Sequence, residues 1–172
     1  MLSPRKIDIK ADKDTLLELH CRINYESESP WARTVPFEQY REKWLSTSQT
    51  KTFLGDLAES MADERTITEI WEDDHVCVGY LWVTFSSVRD YNLTIAEVRD
   101  IAVVEEYQRR GIGRRMLEHA EQLARDRGAH LLRSETGTDN TASQGLHVNF
   151  AFKPYRIQYE KLLTNEKLME SR

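Results

Sequence analysis

The chain is poor in the residues that mark several protein classes. It has two cysteines, Cys21 and Cys77, too few for a scaffold of several disulfides. The start, Met1-Leu2-Ser3-Pro4-Arg5-Lys6, lacks an apolar leader, so both are expected as reduced thiols of a cytoplasmic protein. Four prolines and seven glycines leave no room for a low-complexity linker. The longest apolar run, Val76 to Val83, is far below the ~20 residues that span a bilayer, so no membrane partner is expected. Positive charge is not in excess either. Lys plus Arg number 24 against 29 Asp plus Glu, a net charge of −5. That disfavours an overall basic nucleic-acid binder, and no nucleic-acid partner is expected. The histidines, His20, His75, His119, His130 and His147, show no metal-ligand spacing, so no metal is expected.

What is present suits one soluble domain of 172 residues, 40% apolar and 31% charged. Lys6 to Lys10 alternates polar and apolar, the pattern of a short strand. Asp12 or Asp14 can cap a helix to about Asn24, with Leu16, Leu17, Leu19 and Ile23 as its apolar positions. Tyr25 to Trp31 reads as a loop. Pro36 stands at a helix start, and Phe37, Tyr40, Trp44 and Leu45 form a stripe at helical spacing that packs a core or walls a ligand. Thr66 to Glu72 and Val76 to Ser86 read as strands about an Asp73-Asp74-His75 turn, the second apolar on both faces and so central. Leu93 to Val104 reads as a third strand of this run.

A helix from Gly111 to about Arg127 follows, with Gly128 as its C-terminal cap and Ile112, Met116, Leu117, Ala120, Leu123 and Ala124 as its buried stripe. Ala129 to Thr136 is expected as a strand, Asn140 to Phe150 as a helix and Tyr155 to Leu163 as a last strand. The order βααβββαβαβ gives an α/β fold about one mixed sheet.

The strongest feature runs from Ile101 to Arg114, strand then loop then helix start. The first N–H groups of a helix have no internal partner, and the helix dipole adds positive charge there. Gly111 and Gly113 let an anion approach the backbone. Arg109, Arg110 and Arg114 add full charges, so the segment suits a phosphate or pyrophosphate. A nucleotide P-loop needs Gly-Lys-Ser/Thr, which is absent, and the dinucleotide fingerprint needs glycine where Met116 stands.

Gln108-Arg109-Arg110-Gly111-Ile112-Gly113 resembles the acetyl-CoA motif of the GCN5-related N-acetyltransferases, the GNAT family, and Ile101-Ala102-Val103 matches the strand before it. Glu105 stands where a proline is common. Asn140 to Phe152 resembles a second block of that family, with His147 in place of a tyrosine and Ala151 in place of a glycine. The resemblance covers roughly residues 66–163. It implies a single-domain fold over residues 1–172, a central mixed, mostly antiparallel sheet with helices on both faces. Residues 1–60 would form the acceptor side and 66–163 the acetyl-CoA-binding core. A homodimer would be in keeping with many members.

The resemblance also implies a mechanism. Acetyl-CoA, the acetyl donor, would lie in a gap between the strand ending at Val103 and the one ending near Thr136. Its pantetheine arm would pair with the backbone of Ile101, Ala102 and Val103. The Val103 N–H would polarise the thioester. The pyrophosphate would rest on N–H groups from Arg109 to Arg114, Ile112 among them. A primary amine would then attack directly. Glu97 stands where some histone-type members carry the base; its plain alternative is a strand carboxylate paired with a neighbouring cation. By strand alternation, residues 97, 99, 101 and 103 would share one face, with Asp100 on the other. His147 would donate a proton to the leaving thiolate, or only hydrogen-bond. Asn140 and Ser143 would contact the donor, or Asn140 would cap its helix.

Ser134-Glu135, Thr138-Asp139-Asn140, Ser143 and His147 are similar to the matching stretch of some aminoglycoside 6′-N-acetyltransferases, and the Ser-x-x-Leu-His run to phosphinothricin-type acetyltransferases. Glu26, Glu28, Glu38, Glu42 and Glu135 would suit a cationic acceptor, an aminoglycoside, a polyamine or an amino-acid-like amine, or form a solvated acidic face. Tyr25 and Trp31 would wall the pocket or pack the loop. The reading is therefore an acetyl-CoA-dependent N-acetyltransferase of a small-molecule amine. The alternatives are a protein or peptide N-acetyltransferase, a non-catalytic acyl-CoA-binding regulatory module, and a nucleotide-phosphate binder that prefers ATP or NAD.

Overall fold

Alternating apolar residues through residues 66–103 build a meander of three antiparallel strands. The computed structural model describes residues 1–27 and 30–163. The strands are β1 (Ser3–Lys6), β2 (Thr66–Asp73), β3 (Val76–Val88), β4 (Leu93–Val103) and β5 (Leu131–Ser134). The helices are α1 (Ile9–Ser27), α2 (Phe37–Leu45), α3 (Gln49–Ala62), α4 (Ile112–Asp126) and α5 (Thr141–Asn149). The chain separates into two compact units: Met1–His20 with Ser48–Glu135, and Cys21–Thr47 with the residues from Thr136 on.

The first unit carries the whole sheet, in the order β1-β2-β3-β4-β5. All neighbours are antiparallel except β4 and β5, which run parallel, so the sheet is mixed and mostly antiparallel. β3 is central, as its two apolar faces require. The turn into it has Asp74 and His75 at φ 49° and 66°, the paired left-handed conformation of a tight hairpin. Tyr80 and Trp82 face α1 and α3: His20 lies against Tyr80, and the Phe53 ring is 6.4 Å from Trp82. Alternate residues face α4: His119 contacts Trp71 and Glu69, and Arg127 lies over Phe85. Met116, Leu117 and Ala120 of α4 are buried on that side, and a fully buried Met or Leu contributes about 1.5–3 kcal/mol.

β4 contains one surplus residue. Asp100 pairs with Trp82 and Val98 with Val83, so Arg99 has no partner of its own. Directly paired residues point to the same face. Glu97 opposite Thr84, Asp100 opposite Trp82 and Ala102 opposite Tyr80 therefore share the α1/α3 side. Ile101 and Val103, opposite Leu81 and Gly79, point to the α4 side. The expected common face of residues 97, 99, 101 and 103 is thus corrected, and Asp100 joins Glu97 instead of opposing it.

Several boundaries differ from the sequence pattern. Asp8, not Asp12, caps α1: the Lys10 and Ala11 N–H groups donate to its Oδ1 at 2.9 and 3.2 Å. The helix therefore takes over the expected strand at Lys6 to Lys10, β1 ends at Lys6, and α1 runs on to Ser27. Asp12 accepts a two-pronged contact from Arg5 at 2.8 and 2.7 Å, and Arg5 Nε reaches Glu72 at 2.7 Å. α3 has no counterpart among the expected helices; Phe53 and Leu57 are its buried positions. Helix α4 begins and ends on Gly111 and Gly128 as expected, both at positive φ.

The second unit packs Tyr25 against Phe37 and Tyr40, and the Tyr25 hydroxyl donates to Val35 O at 2.9 Å. Arg33 reaches Asp139 at 2.6 Å and Glu26 O at 3.0 Å. Asn140 caps α5 by accepting the Ser143 N–H at 3.0 Å. The expected last strand, Tyr155 to Leu163, is not formed: these residues are exposed, Tyr159 to 92%, and no ladder pairs them among the described residues. Alternation alone does not hold a strand without a neighbour.

The Arg5–Asp12 contact ties β1 to α1. Asp12→Asn should cost about 2 kcal/mol in urea unfolding at pH 7. Arg5 holds the Asp12 carboxyl below its ordinary range, so this contribution is present above the unfolded value of about 3.9. The difference between wild type and variant should close as the pH falls through the lower folded value.

Candidate functional site

The ladder between β4 and β5 covers only Ile95 to Val98, paired with Leu131 to Ser134. β4 continues to Val103 with β3 on one side and an open edge on the other. The Val104 N–H donates to Val78 O at 2.9 Å, and Ala102 O lies against Gly79. Residues 102 and 104 thus turn their peptide groups to β3, and residues 101 and 103 turn theirs to the open edge. Gln108 Nε2 donates to Val103 O at 3.1 Å, which satisfies that carbonyl and ties the following loop to the strand.

Beyond the loop, α4 starts at Gly111 with no side-chain cap. Gly111 sits at φ 80°, a left-handed conformation that glycine adopts without strain. Its α-carbon also leaves the first turn uncovered, since nothing lies within 4 Å of a Cβ placed there. The N–H groups of that turn carry the positive end of the helix dipole. The expected arginines divide. Arg110 donates to Glu106 O at 2.7 Å and lies 5.0 Å from the Tyr107 ring, bracing the loop. Arg114 pairs with Glu118 at 3.0 Å on the surface. Arg109, exposed and at φ 58°, has no ion pair among the described residues. Arg115, not singled out by the motif, stands in the same first turn and is also exposed. An open strand edge beside an uncapped, cationic helix start can hold an extended ligand arm and an anionic group.

Glu97 is half-buried, and its carboxylate has no hydrogen bond among the described residues. Asp100 is buried, takes the Tyr80 hydroxyl and lies 2.8 Å from His20 Nδ1. Neither Gly79 nor His20 was among the expected site residues. A glycine inside the apolar run Val76 to Val83 was the available signal for Gly79. His20 carried none, since its partners lie 60 and 80 residues away. Glu135 is exposed at the end of the first unit.

In the second unit, His147 Nδ1 donates to Ser143 O at 2.7 Å, and the ring stands edge-on to Phe152 at 5.1 Å. That bond places the ring proton on Nδ1 and leaves Nε2 buried and without a partner among the described residues. Both ends of the Asn140 amide are engaged, with the Ser143 N–H and with Glu26 Oε2 at 3.2 Å, which fits the capping alternative. Tyr25 packs the loop, Trp31 is half-buried beside it, and Glu38 and Glu42 are exposed on α2. Glu28 lies outside the described residues. Neither Cys21 nor Cys77 is in a disulfide, and no metal-binding cluster occurs among the described residues. No described helix is long and apolar enough to cross a membrane.

The sequence profile of the acetyltransferase (GNAT) family matches residues 21–152. No curated protein matches the chain in sequence. Among solved structures, a transcriptional regulator from Bacillus halodurans C-125 is similar with a TM-score of 0.69 and 15% identity, over 95% of this chain and 100% of that one. AAC(6')-Iy in complex with the bisubstrate analogue CoA-S-monomethyl-acetylneamine gives a TM-score of 0.62 and 16% identity, over 95% and 99%. Glucosamine-6-phosphate N-acetyltransferase from Arabidopsis thaliana gives 0.61 and 11%, over 95% and 99%. At these identities the likeness is one of fold.

Gly79 is the packing limit of the open edge. A Cβ there would collide with the Ala102 carbonyl and approach Val103 Cα to 3.3 Å. Gly79→Ala should destabilise by about 1–3 kcal/mol in urea unfolding and shift the Ala102 and Val103 amide resonances.

Proposed function

The chain belongs to the acetyltransferase (GNAT) family, and from that premise we propose an acetyl-CoA-dependent N-acetyltransferase acting in the cytoplasm on a primary amine of a small, cationic acceptor. The observation that carries the reading is the open edge of β4 at Ile101 and Val103, followed by the uncapped start of α4. The family uses acetyl-CoA, and the AAC(6')-Iy neighbour holds a CoA conjugate. The residues fit such a donor. Ile101 and Val103 offer backbone groups to an amide-bearing arm, as an added strand would use them. The Val103 N–H at the outer edge is the donor for a thioester carbonyl that gains charge under attack. The first turn of α4 with Arg109 receives the pyrophosphate, and Gln108 and Arg110 hold the loop in shape.

An alkylammonium with a pKa near ~10 must lose a proton before it attacks. Two carboxylates, Glu97 and Asp100, lie on the α1/α3 face of the strand that carries the donor edge. Their charge, with exposed Glu135, favours a cationic acceptor such as an aminoglycoside, a polyamine or an amino-acid-like amine. The resemblance of its block to the family, with His147 in place of a tyrosine, is what makes His147 the candidate to return a proton to the leaving thiolate.

Calorimetric titration with acetyl-CoA, ATP and NAD tests the donor class, and micromolar binding of acetyl-CoA alone is expected. Thiol release with kanamycin, spermidine, glucosamine 6-phosphate and a peptide amine then tests the acceptor. Fastest release with the peptide would favour a protein-type enzyme, and donor binding without release a regulatory module. Gly111→Glu should reduce acetyl-CoA binding below calorimetric detection, because it strains a left-handed residue and puts negative charge on the anion path. Normal binding by that variant would remove the α4 start from the site. His147→Phe should lower kcat by about 10- to 100-fold, at the low end of general-acid effects because a thiolate leaves readily.

A further inference from the structure

The irregular point of β4 carries a charged group that the donor site does not use. Arg99 is the first β4 residue past the ladder with β5, which ends at Val98 opposite Ser134. The open edge begins two residues further on, at Ile101, about 7 Å along the strand. The Arg99 guanidinium lies on the α1/α3 face, 5.5 Å from the centre of the Trp82 ring. A ring face attracts a cation at that range. Trp82 is 5% exposed and packs against Phe53, with the rings 6.4 Å apart. A buried ring thus holds the guanidinium to the sheet while Arg99 stays exposed.

The charges around Arg99 are not matched to one another. Glu97 and Asp100 share its face, yet Arg99 makes no hydrogen bond or ion pair with either, or with any other described residue. Asp100 is buried and already engaged by the Tyr80 hydroxyl and by His20 Nδ1 at 2.8 Å. Glu97 is half-buried, and its carboxylate is likewise unpaired among the described residues. Arg133 of β5 stands opposite Glu97 in the ladder and is a second cation beside it. The carboxylates of this face therefore do not stand alone. The Trp82 indole N–H, in the ring that holds Arg99, is also buried and without a partner among the described residues.

We infer that Arg99 seats a carboxylate of the acceptor, with the ammonium of the same molecule toward Glu97. The acceptor is then a zwitterion of amino-acid size, not a polyamine or an aminoglycoside. This rests on the acetyltransferase reading above and narrows it. A guanidinium presents a planar fork of N–H donors that matches the two oxygens of a carboxylate. Positions 97 and 99 are two residues apart, about 7 Å in extended chain. One small molecule bearing both charges can bridge two side chains set at that spacing. Polyamines and aminoglycosides carry cations only, which Arg99 repels. A phosphate carries about −1.5 to −2 at neutral pH and would meet the Glu97 carboxylate, so a singly charged carboxylate suits the pair better.

The test compares amines that differ in the carboxylate. With saturating acetyl-CoA, thiol release is measured with the common amino acids and β-alanine, each against its amide. Kanamycin, spermidine and glucosamine 6-phosphate are run beside them. The best amino acid should exceed its amide in kcat/KM by about 10- to 100-fold, as expected for a hydrogen-bonded contact between charged groups. Arg99→Gln should remove that advantage by raising KM for the acid, with kcat and the KM of the amide nearly unchanged. Comparing variant with wild type cancels the difference in basicity between acid and amide. Arg99→Lys should restore part of the advantage, because it keeps the charge and loses the fork. A merely structural role for Arg99 would move acid and amide alike. Melting temperature and acetyl-CoA affinity by calorimetry should hold in both variants. An amide that matches its acid, or an advantage that persists in Arg99→Gln, would overturn the inference. So would faster release with spermidine, kanamycin or glucosamine 6-phosphate than with every amino acid. Acetyl-CoA binding with no amino acid acetylated would overturn it too, while leaving the donor reading in place. Absence of acetyl-CoA binding in the wild type would instead remove the acetyltransferase reading on which it stands.

Discussion

One surplus residue in β4 sets the geometry of the first unit. Arg99 interrupts a ladder that is otherwise in register from Leu93 to Val103. Pairing with β5 stops at Val98, the residue before it, so the outer edge of Ile101 to Val103 is left for something other than a strand. The same interruption shifts the alternation by one, which brings Asp100 to the side of Glu97 and sends Ile101 and Val103 to the side of α4. An open edge and an acidic face arise on one strand from a single local irregularity.

Around that edge, several side chains that look like ligand groups serve as braces. Gln108 satisfies the Val103 carbonyl, and Arg110 closes on Glu106 and Tyr107. Their polar atoms are committed before any ligand arrives, so ordering the loop costs less on binding. The two histidines follow one rule in different units. Each has its Nδ1 tied to an oxygen, Asp100 for His20 and Ser143 O for His147.

How much was legible depended on whether a signal was local. The helix from Gly111 to Gly128 was readable because its caps and apolar stripe lie within one window, and the Asp74–His75 turn because flanking strands alternate cleanly. The donor edge and helix start were legible through a motif of contiguous residues. The start of α1 was not, because Asp8 and Asp12 both suit a cap and only the reach of Arg5 decides between them. α3 was missed because Phe53 and Leu57 stand among polar residues and gain their meaning from the sheet they cover. The interruption at Arg99 leaves no mark in the alternation of a short strand. Asp100 and His20 were hidden for a related reason: their meeting is a matter of tertiary register.

The strand order has a kinetic consequence. β2, β3 and β4 are joined by short turns, so their pairing closes small loops and can form early. β1 is the exception, because Arg5 and Glu72 meet across 67 residues of chain. Closing that loop is entropically slow, and it pays only once β2 is already in place to receive it. The amino-terminal strand is therefore the last piece of the sheet to join and the first to leave. During synthesis, the edge of β2 stays uncovered until the meander behind it has formed.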